Sequence, residues 1–168
     1  MKDSLFTKLA ALAIGAAAFI GITETTPAMA QTPAKYDLSA DSNAKYLADN
    51  AVKPGVIKLS NGLQYRIIKS GTGKSTSSMD DLVTVTYKGW LINGQVFDQT
   101  PPGRTAEFPV GHLIKGWVRA LTMMKEGDEW ELVIPSDLGY GAMGAGSAIP
   151  PNQTLVFDMT LLSVKPAQ

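Results

Sequence analysis

Six aromatic residues, Tyr87, Phe97, Phe108, Trp117, Tyr140 and Phe157, recur along the second half of the chain, and a carboxylate, Asp98, directly follows Phe97. Rings gathered in one place form an apolar cavity that can hold an apolar group. Any phenol hydroxyl buried among them needs a hydrogen-bond partner, and so does a buried carboxylate. A set of this kind binds and orients, and it supplies no nucleophile. On spacing alone, the same rings also fill an ordinary core.

The other candidates for chemistry are few. Cys is absent and His112 is the single His, which removes thiolate catalysis, disulfides and Cys- or His-rich metal sites. His112 stands beside Gly111 without a Ser or Cys elbow, and reads as a turn residue. Gly71-Thr72-Gly73-Lys74-Ser75 hints at a phosphate loop, but Ile68 occupies the position where that motif needs glycine, and no helix pattern follows. The glycines from Gly139 to Gly146 lack the strand-then-helix setting of a dinucleotide site. Glu126, Asp128, Glu129 and Glu131 read as a solvated face rather than a metal site, because two of them alternate outward on an expected strand. Asn152-Gln153-Thr154 is a glycosylation sequon by pattern only. Lys+Arg and Asp+Glu are both 15, for a formal charge of zero, so there is no electrostatic footprint for nucleic acid or an anionic membrane.

The elements that must position the rings follow from periodicity. Ser39 to Val52 has helix character, with Ser39 or Asp41 as cap and Ala44, Leu47, Ala48 and Ala51 as a weak apolar stripe. Pro54-Gly55 stops it. Leu63, Tyr65 and Ile67 alternate with polar residues as a half-buried strand. Leu82 to Trp90 is β-branched and aromatic, with Val83, Val85 and Tyr87 on one face. Asn93-Gly94 then signals a hairpin, because both residues tolerate positive φ, returning through Gln95 to Asp98. Glu107 to Val110 is a short strand. Leu113, Trp117, Leu121 and Met124 share one helical face, and Gly127 is placed to end that helix. Trp130, Leu132 and Ile134 mark another strand, Ser136 to Pro151 a long loop, and Leu155 to Val164 a closing strand. The fold class is α+β: antiparallel strands with one short α-helix inside the run, preceded by a short N-terminal helix.

The first thirty residues have a different character. Lys2 and Lys8 precede an uncharged apolar run of 14 residues, Leu9 to Ile22, too short for a membrane span of about 20. Ala28-Met29-Ala30 follows, completing the plan of a secretory signal peptide. No Cys is present to carry a lipid. The expected organisation is a signal peptide over 1–30, a flexible tail and short helix over 31–57, and the main domain over 58–168. Export is expected, to the periplasm or beyond the cell, without stable membrane insertion.

The blocks Y-K-G-W-L-I-N-G-Q-V-F-D from Tyr87 to Asp98, L-I-K-G-W from Leu113 to Trp117, Y-G at Tyr140, I-P-P at Ile149 and L-V-F-D from Leu155 resemble FKBP-type peptidyl-prolyl cis-trans isomerases. They occur in the family order between Gly62 and Val164, and their combination is highly specific. The lead-in from Leu47 to Tyr65 looks like exported bacterial members. The resemblance implies an antiparallel sheet wrapped around one short helix, and a pocket that grips proline without covalent chemistry or cofactor. Trp117 would be its floor, with Tyr87, Phe97, Phe108 and Phe157 as walls and Leu113 and Ile114 at one edge. The Tyr140 hydroxyl and the Ile149 backbone N–H would hold substrate carbonyls, and Asp98 would face the twisting imide. Phe97, Asp98 and Tyr140 would then carry catalysis.

The same resemblance implies proline-containing exported polypeptides as partners, inhibition by the macrolides tacrolimus and rapamycin, and a monomer, since the long dimerisation arm of some exported relatives is missing here. A holdase-like chaperone using the same groove is the alternative. The chain departs from well-known members in shorter segments at Asp98–Phe108 and Gly111–Ile114, and in Ala145 and Ala148, where bulkier residues are common. These changes touch the rim and leave the pocket set intact.

Overall fold

The computed structural model describes residues 35–167; the expected signal peptide over 1–30 and the first residues of the tail lie outside them. All strands join in one antiparallel sheet of seven: β1 (Val56–Lys58), β2 (Gln64–Lys69), β3 (Leu82–Leu91), β4 (Val96–Gln99), β5 (Ala106–Pro109), β6 (Glu129–Ile134) and β7 (Leu155–Lys165), in the order β1-β2-β6-β7-β3-β4, with β5 also on β3. The helices are α1 (Ala40–Ala51) and α2 (Lys115–Leu121). The expected α+β class is what the chain adopts; β1, only three residues long, gave no periodic signal.

Strand β3 is the spine. It pairs with β7 along its whole length and with β4 and β5 on its other edge. Its alternation is the one expected, with Val83, Val85 and Tyr87 buried. Those residues share a core with Leu132, Phe157 and Leu161 of the sheet and with Trp117, Ala120 and Leu121 of α2. Gly116 lets α2 approach: a Cβ there would stand 2.5 Å from Ile134 Cγ2. That close approach presses the next side chain, Trp117, into the sheet.

The structure refines one of these expectations and corrects two. The hairpin at Asn93-Gly94 exists, but only Gly94 has positive φ, at +88°. A turn closed by Gly94 N–H to Leu91 C=O is followed by Leu91 N–H to Gln95 C=O, so the glycine alone absorbs the left-handed step. The helix is shorter than its apolar face suggested. Leu113 lies before it, Ile114 is its N-cap, and Met124 and Gly127 lie beyond its end. The chain leaves the helix at Thr122, whose Oγ1 bonds back to Arg119 C=O at 2.9 Å, a local bond that competes with the helical ladder. Gly127 does take positive φ, at +92°, but in the turn that enters β6. On β2, Ile67 is not half-buried beside Tyr65 but 44% exposed, because a bulge between Ile67 and Lys69 releases the strand end.

The weak apolar stripe of α1 is not what buries the helix. Ala44 and Ala48 face solvent, and the buried positions are Asn43 and Asn50. Asn43 Nδ2 donates to Gln153 Oε1 at 3.1 Å and its Oδ1 accepts from Thr154 N–H at 2.7 Å. Asn50 Nδ2 donates to Gln64 Oε1 at 2.9 Å, and Gln64 Nε2 to Leu47 C=O at 2.9 Å. Gln64 alternates with the core-facing Leu63 and Tyr65, so α1 covers the sheet face opposite α2. Ser39 caps the helix, accepting from Ser42 N–H.

The acidic cluster is not simply a solvated face. Asp128 is buried and accepts from Gly71 N–H at 2.6 Å and Lys125 N–H at 2.7 Å, while Glu126 accepts from Lys74 N–H at 3.1 Å and Val164 N–H at 2.7 Å. These carboxylates pin the segment 71–74 to the turn before β6. Gly71 belongs to that contact and to no phosphate site: a Cβ there would collide with backbone atoms of residues 126–128.

Candidate functional site

Five elements bring five of the expected rings together. Trp117, 2% exposed, stands at the centre. Its ring centroid is 5.0 Å from Tyr87 of β3, 5.2 Å from Phe157 of β7 and 6.1 Å from Phe108 of β5, each edge to face. Phe97 of β4 reaches the group through Phe157 at 5.4 Å. Edge-to-face packing is the favoured geometry for such rings. Glycine 89 makes it available, because a Cβ there would lie 2.6 Å from Phe157 Cε1 and 2.7 Å from Phe97 Cζ. Sequence reading passed over Gly89, although an isolated glycine inside a β-branched strand is a signal of close approach.

The rings are buried, whereas the polar and aliphatic members of the expected site are only partly so. Asp98, Leu113, Ile114 and Tyr140 are half-buried and form the open side. Tyr87 Oη donates to Asp98 Oδ2 at 2.7 Å. Burial pushes the Tyr87 phenol well above its ordinary range, helped by that bond and by the Asp98 charge. Burial also pushes the Tyr140 phenol up, to about 12, with the Asp98 charge adding to it. Both phenols therefore stay protonated donors at neutral pH. Tyr87 spends its proton on Asp98; the Tyr140 hydroxyl bonds no partner among the described residues and is free to donate outward.

Thr100 ties the other end of the arrangement. Its Oγ1 accepts from Tyr87 N–H and donates to Tyr87 C=O, both at 3.2 Å, and its own N–H reaches Tyr87 C=O at 2.9 Å. The side chain completes the β3–β4 pairing where Pro101 and Pro102 turn the chain away.

The N–H assigned to a substrate carbonyl on the strength of the resemblance is not free. Ile149 N–H donates to Ala145 C=O at 3.2 Å and Ile149 C=O accepts from Ala145 N–H at 2.8 Å. Ile149 is buried and serves as a wall. Beside the rings, the Ile114 N–H has no acceptor among the described residues; Ile114 precedes the first turn of α2 in an extended conformation with φ −60° and ψ 148°. The sequence signal for it is the N-cap position itself: a helix start leaves N–H groups unsatisfied, and a cap residue without a polar side chain cannot fill them.

Trp117 Nε1 is buried without an acceptor, and rings stand against the indole on several sides. His112 is exposed in a short 3₁₀ turn, as expected of a turn residue.

The profile of the FKBP-type peptidyl-prolyl cis-trans isomerase family matches residues 73–162, and that of the domain amino-terminal to FKBP-type peptidyl-prolyl isomerases matches residues 9–67. This chain belongs to the FKBP-type peptidyl-prolyl cis-trans isomerase family. It is 47% identical over 128 residues to the peptidyl-prolyl cis-trans isomerase Mip of Coxiella burnetii, covering 76% of this chain and 55% of the relative. It is also 47% identical over 131 residues to the FKBP-type 22 kDa peptidyl-prolyl cis-trans isomerase of Escherichia coli, covering 77% of this chain and 63% of the relative. The chain thus spans less than two thirds of the length of these two relatives. The crystal structure of FkpA from Escherichia coli superposes on this FKBP-type chain with a TM-score of 0.72 at 40% identity, over 76% of this chain and 60% of that one. The expected family and fold are therefore those found.

Proposed function

We propose that this chain accelerates rotation about Xaa–Pro peptide bonds in exported polypeptides. The observation that carries the reading is the 2.7 Å bond from Tyr87 to Asp98 at the lip of a ring cluster centred on Trp117. Proline seats on Trp117 between Tyr87, Phe97, Phe108 and Phe157, with Leu113, Ile114 and Ile149 around it. The barrier to rotation is roughly 18–20 kcal/mol and is set by amide resonance. No bond is made or broken, so the site needs only to bind the twisted amide better than the planar one. The planar amide is the more polar state, and an apolar cup favours the twisted one. The Tyr140 hydroxyl and the Ile114 N–H hold the flanking carbonyls, and Asp98, steadied by Tyr87, faces the imide whose dipole changes during the twist. Phe97, Asp98 and Tyr140 are the residues on which the rate depends most directly.

Every one of these groups comes from a single chain, so a monomer suffices. The working unit is residues 58–168 with α1 docked on its outer face, and macrolides such as tacrolimus and rapamycin compete for the cup. The signal-peptide pattern of residues 1–30 supports export to the periplasm. A protease-coupled assay on a proline peptide tests the reading. The expected result is acceleration that rapamycin suppresses. A rate at the uncatalysed value would overturn it, and suppression of client aggregation without acceleration would replace it with a holdase.

A further inference from the structure

The edge of β3 that carries the site is interrupted. On that edge β5 pairs with β3 from Leu82 to Val85, and β4 pairs with it from Lys88 to Trp90. Thr86 and Tyr87 lie in the gap between the two ladders. Thr100 closes the gap at Tyr87: its hydroxyl accepts from Tyr87 N–H and donates to Tyr87 C=O, both at 3.2 Å, beside its own N–H on the same carbonyl at 2.9 Å. A hydroxyl has the single donor and the acceptor capacity that this needs. The next two residues, Pro101 and Pro102, bring no backbone donor. On the other side of Asp98 the ladder shifts register between Gly89 and Trp90. Asp98 is therefore carried on a short stretch of strand between an irregularity and the Thr100 clamp.

Asp98 depends on that stretch, because Tyr87 Oη, at 2.7 Å, is its one hydrogen-bond partner among the described residues. No Lys, Arg or His among them forms an ion pair with it. Tyr87 thus holds β4 twice, binding Asp98 through its ring hydroxyl and Thr100 through its backbone. A shift at the end of β4 would carry the carboxylate away from the phenol.

We propose that Thr100 is a positioning residue for the isomerisation, whose side-chain hydroxyl fixes the end of β4 on Tyr87 and so keeps Asp98 against the Tyr87 phenol and turned toward the imide. The proposal rests on the isomerase reading above and deepens it. Thr100 acts on the rate through Asp98 and not by contact with the peptide.

The test compares the full chain with its T100V, T100A and T100S variants on one proline peptide, each rate referred to the folded fraction read from thermal unfolding. Valine keeps the size and loses the hydroxyl; alanine and serine both lack the methyl and differ in the hydroxyl alone. T100V and T100A are expected to lower kcat by about three- to tenfold, the worth of one hydrogen bond, with KM within about twofold, while T100S keeps most of the rate. In a D98N background neither T100V nor T100A should cause a further loss, since the two residues act in series. A merely structural threonine would lower the unfolding temperature and leave the kcat of the folded fraction where it was. Where valine disturbs the fold, the alanine and serine pair still isolates the hydroxyl. Unchanged kcat in the hydroxyl-free variants, or the same loss with and without D98N, would overturn the proposal and leave the isomerase reading standing. No acceleration of the peptide by the unvaried chain would overturn both.

Discussion

Tyr87 and Asp98, eleven residues apart on the two arms of the β3–β4 hairpin, are joined by a phenol-to-carboxylate hydrogen bond of 2.7 Å at the edge of the ring cluster. The bond orients a carboxylate that would otherwise face solvent with free choice of rotamer. Tyr87→Phe and Asp98→Asn should each lower kcat/KM on a proline peptide by on the order of tenfold, the usual worth of a hydrogen bond to a charged group. Because the two residues act together, the double variant should be little worse than the poorer single one. Additive losses would show that they act separately.

Trp117 has aromatic neighbours at 5.0, 5.2 and 6.1 Å and almost no exposure. Trp117→Ala should cost about 3–5 kcal/mol of stability, the range for deleting a large buried ring, read from urea unfolding. Trp117→Leu should keep the fold and weaken peptide binding, raising KM more than it lowers kcat. Full affinity in a folded Trp117→Leu variant would remove this residue from the site.

Two glycines of one hairpin should behave differently when changed to alanine. At Gly89 the added methyl meets Phe157 and Phe97 at 2.6 and 2.7 Å, so the rings must move; the expected cost is about 1–3 kcal/mol, as for overpacking elsewhere, together with a loss of isomerase rate. At Gly94 nothing lies within 4 Å, but φ is +88°, so Gly94→Ala should lose about 1 kcal/mol through backbone strain and leave the rate alone. Circular dichroism melts and the peptide assay separate the two.

Asp81 accepts from Ser77 N–H at 2.7 Å, Ser78 N–H at 2.9 Å and Ala167 N–H at 3.0 Å. These backbone donors, that of Ser77 first, pull its carboxyl down to about 2 from the ordinary 3.8. A carboxyl lowered in the folded state stabilises the fold above its ordinary range, and that contribution is lost as pH falls from about 4 through about 2. Acid unfolding of the chain should therefore steepen in this window, and Asp81→Asn should be less stable at neutral pH with a flatter acid limb. A parallel shift of the whole profile would exclude Asp81 as a source.

Asn43→Ala removes the bonds to Gln153 and Thr154 and strands the Thr154 N–H and the Gln153 Oε1 beneath α1. Leaving buried polar groups unpaired should cost about 1–3 kcal/mol without changing the isomerase rate, since neither α1 nor this contact borders the ring cluster. Hydrogen exchange should show faster exchange confined to α1 and residue 154.

Much of this was legible in the residues. Alternation in β3 and β6 announced the buried faces, and the ordered blocks around Tyr87, Trp117 and Tyr140 announced the site. What escaped depends on distance in space. Ile114 N–H is free and Ile149 N–H is not because of how α2 begins and how the Tyr140–Ile149 loop folds onto itself; an apolar residue at the helix start hints at the first, and no residue type encodes the second. Asn43 and Asn50 drew no notice in the sequence because their partners, Gln153 and Gln64, lie in other parts of the chain. Glu126 and Asp128 looked solvated because their acceptors' partners are backbone groups, which every sequence has.

The seam beneath α1 has a consequence of its own. Its polar groups are Gln64, Gln153 and the Thr154 amide, which water greets as readily as protein does. Lifting such a latch would also bare Val133 and Val156, which lie on the Gln64 face of the sheet and are 1% exposed, so the helix shields two valines as well as the amides. Amides also bond only along fixed directions, so the latch can return to just one seat.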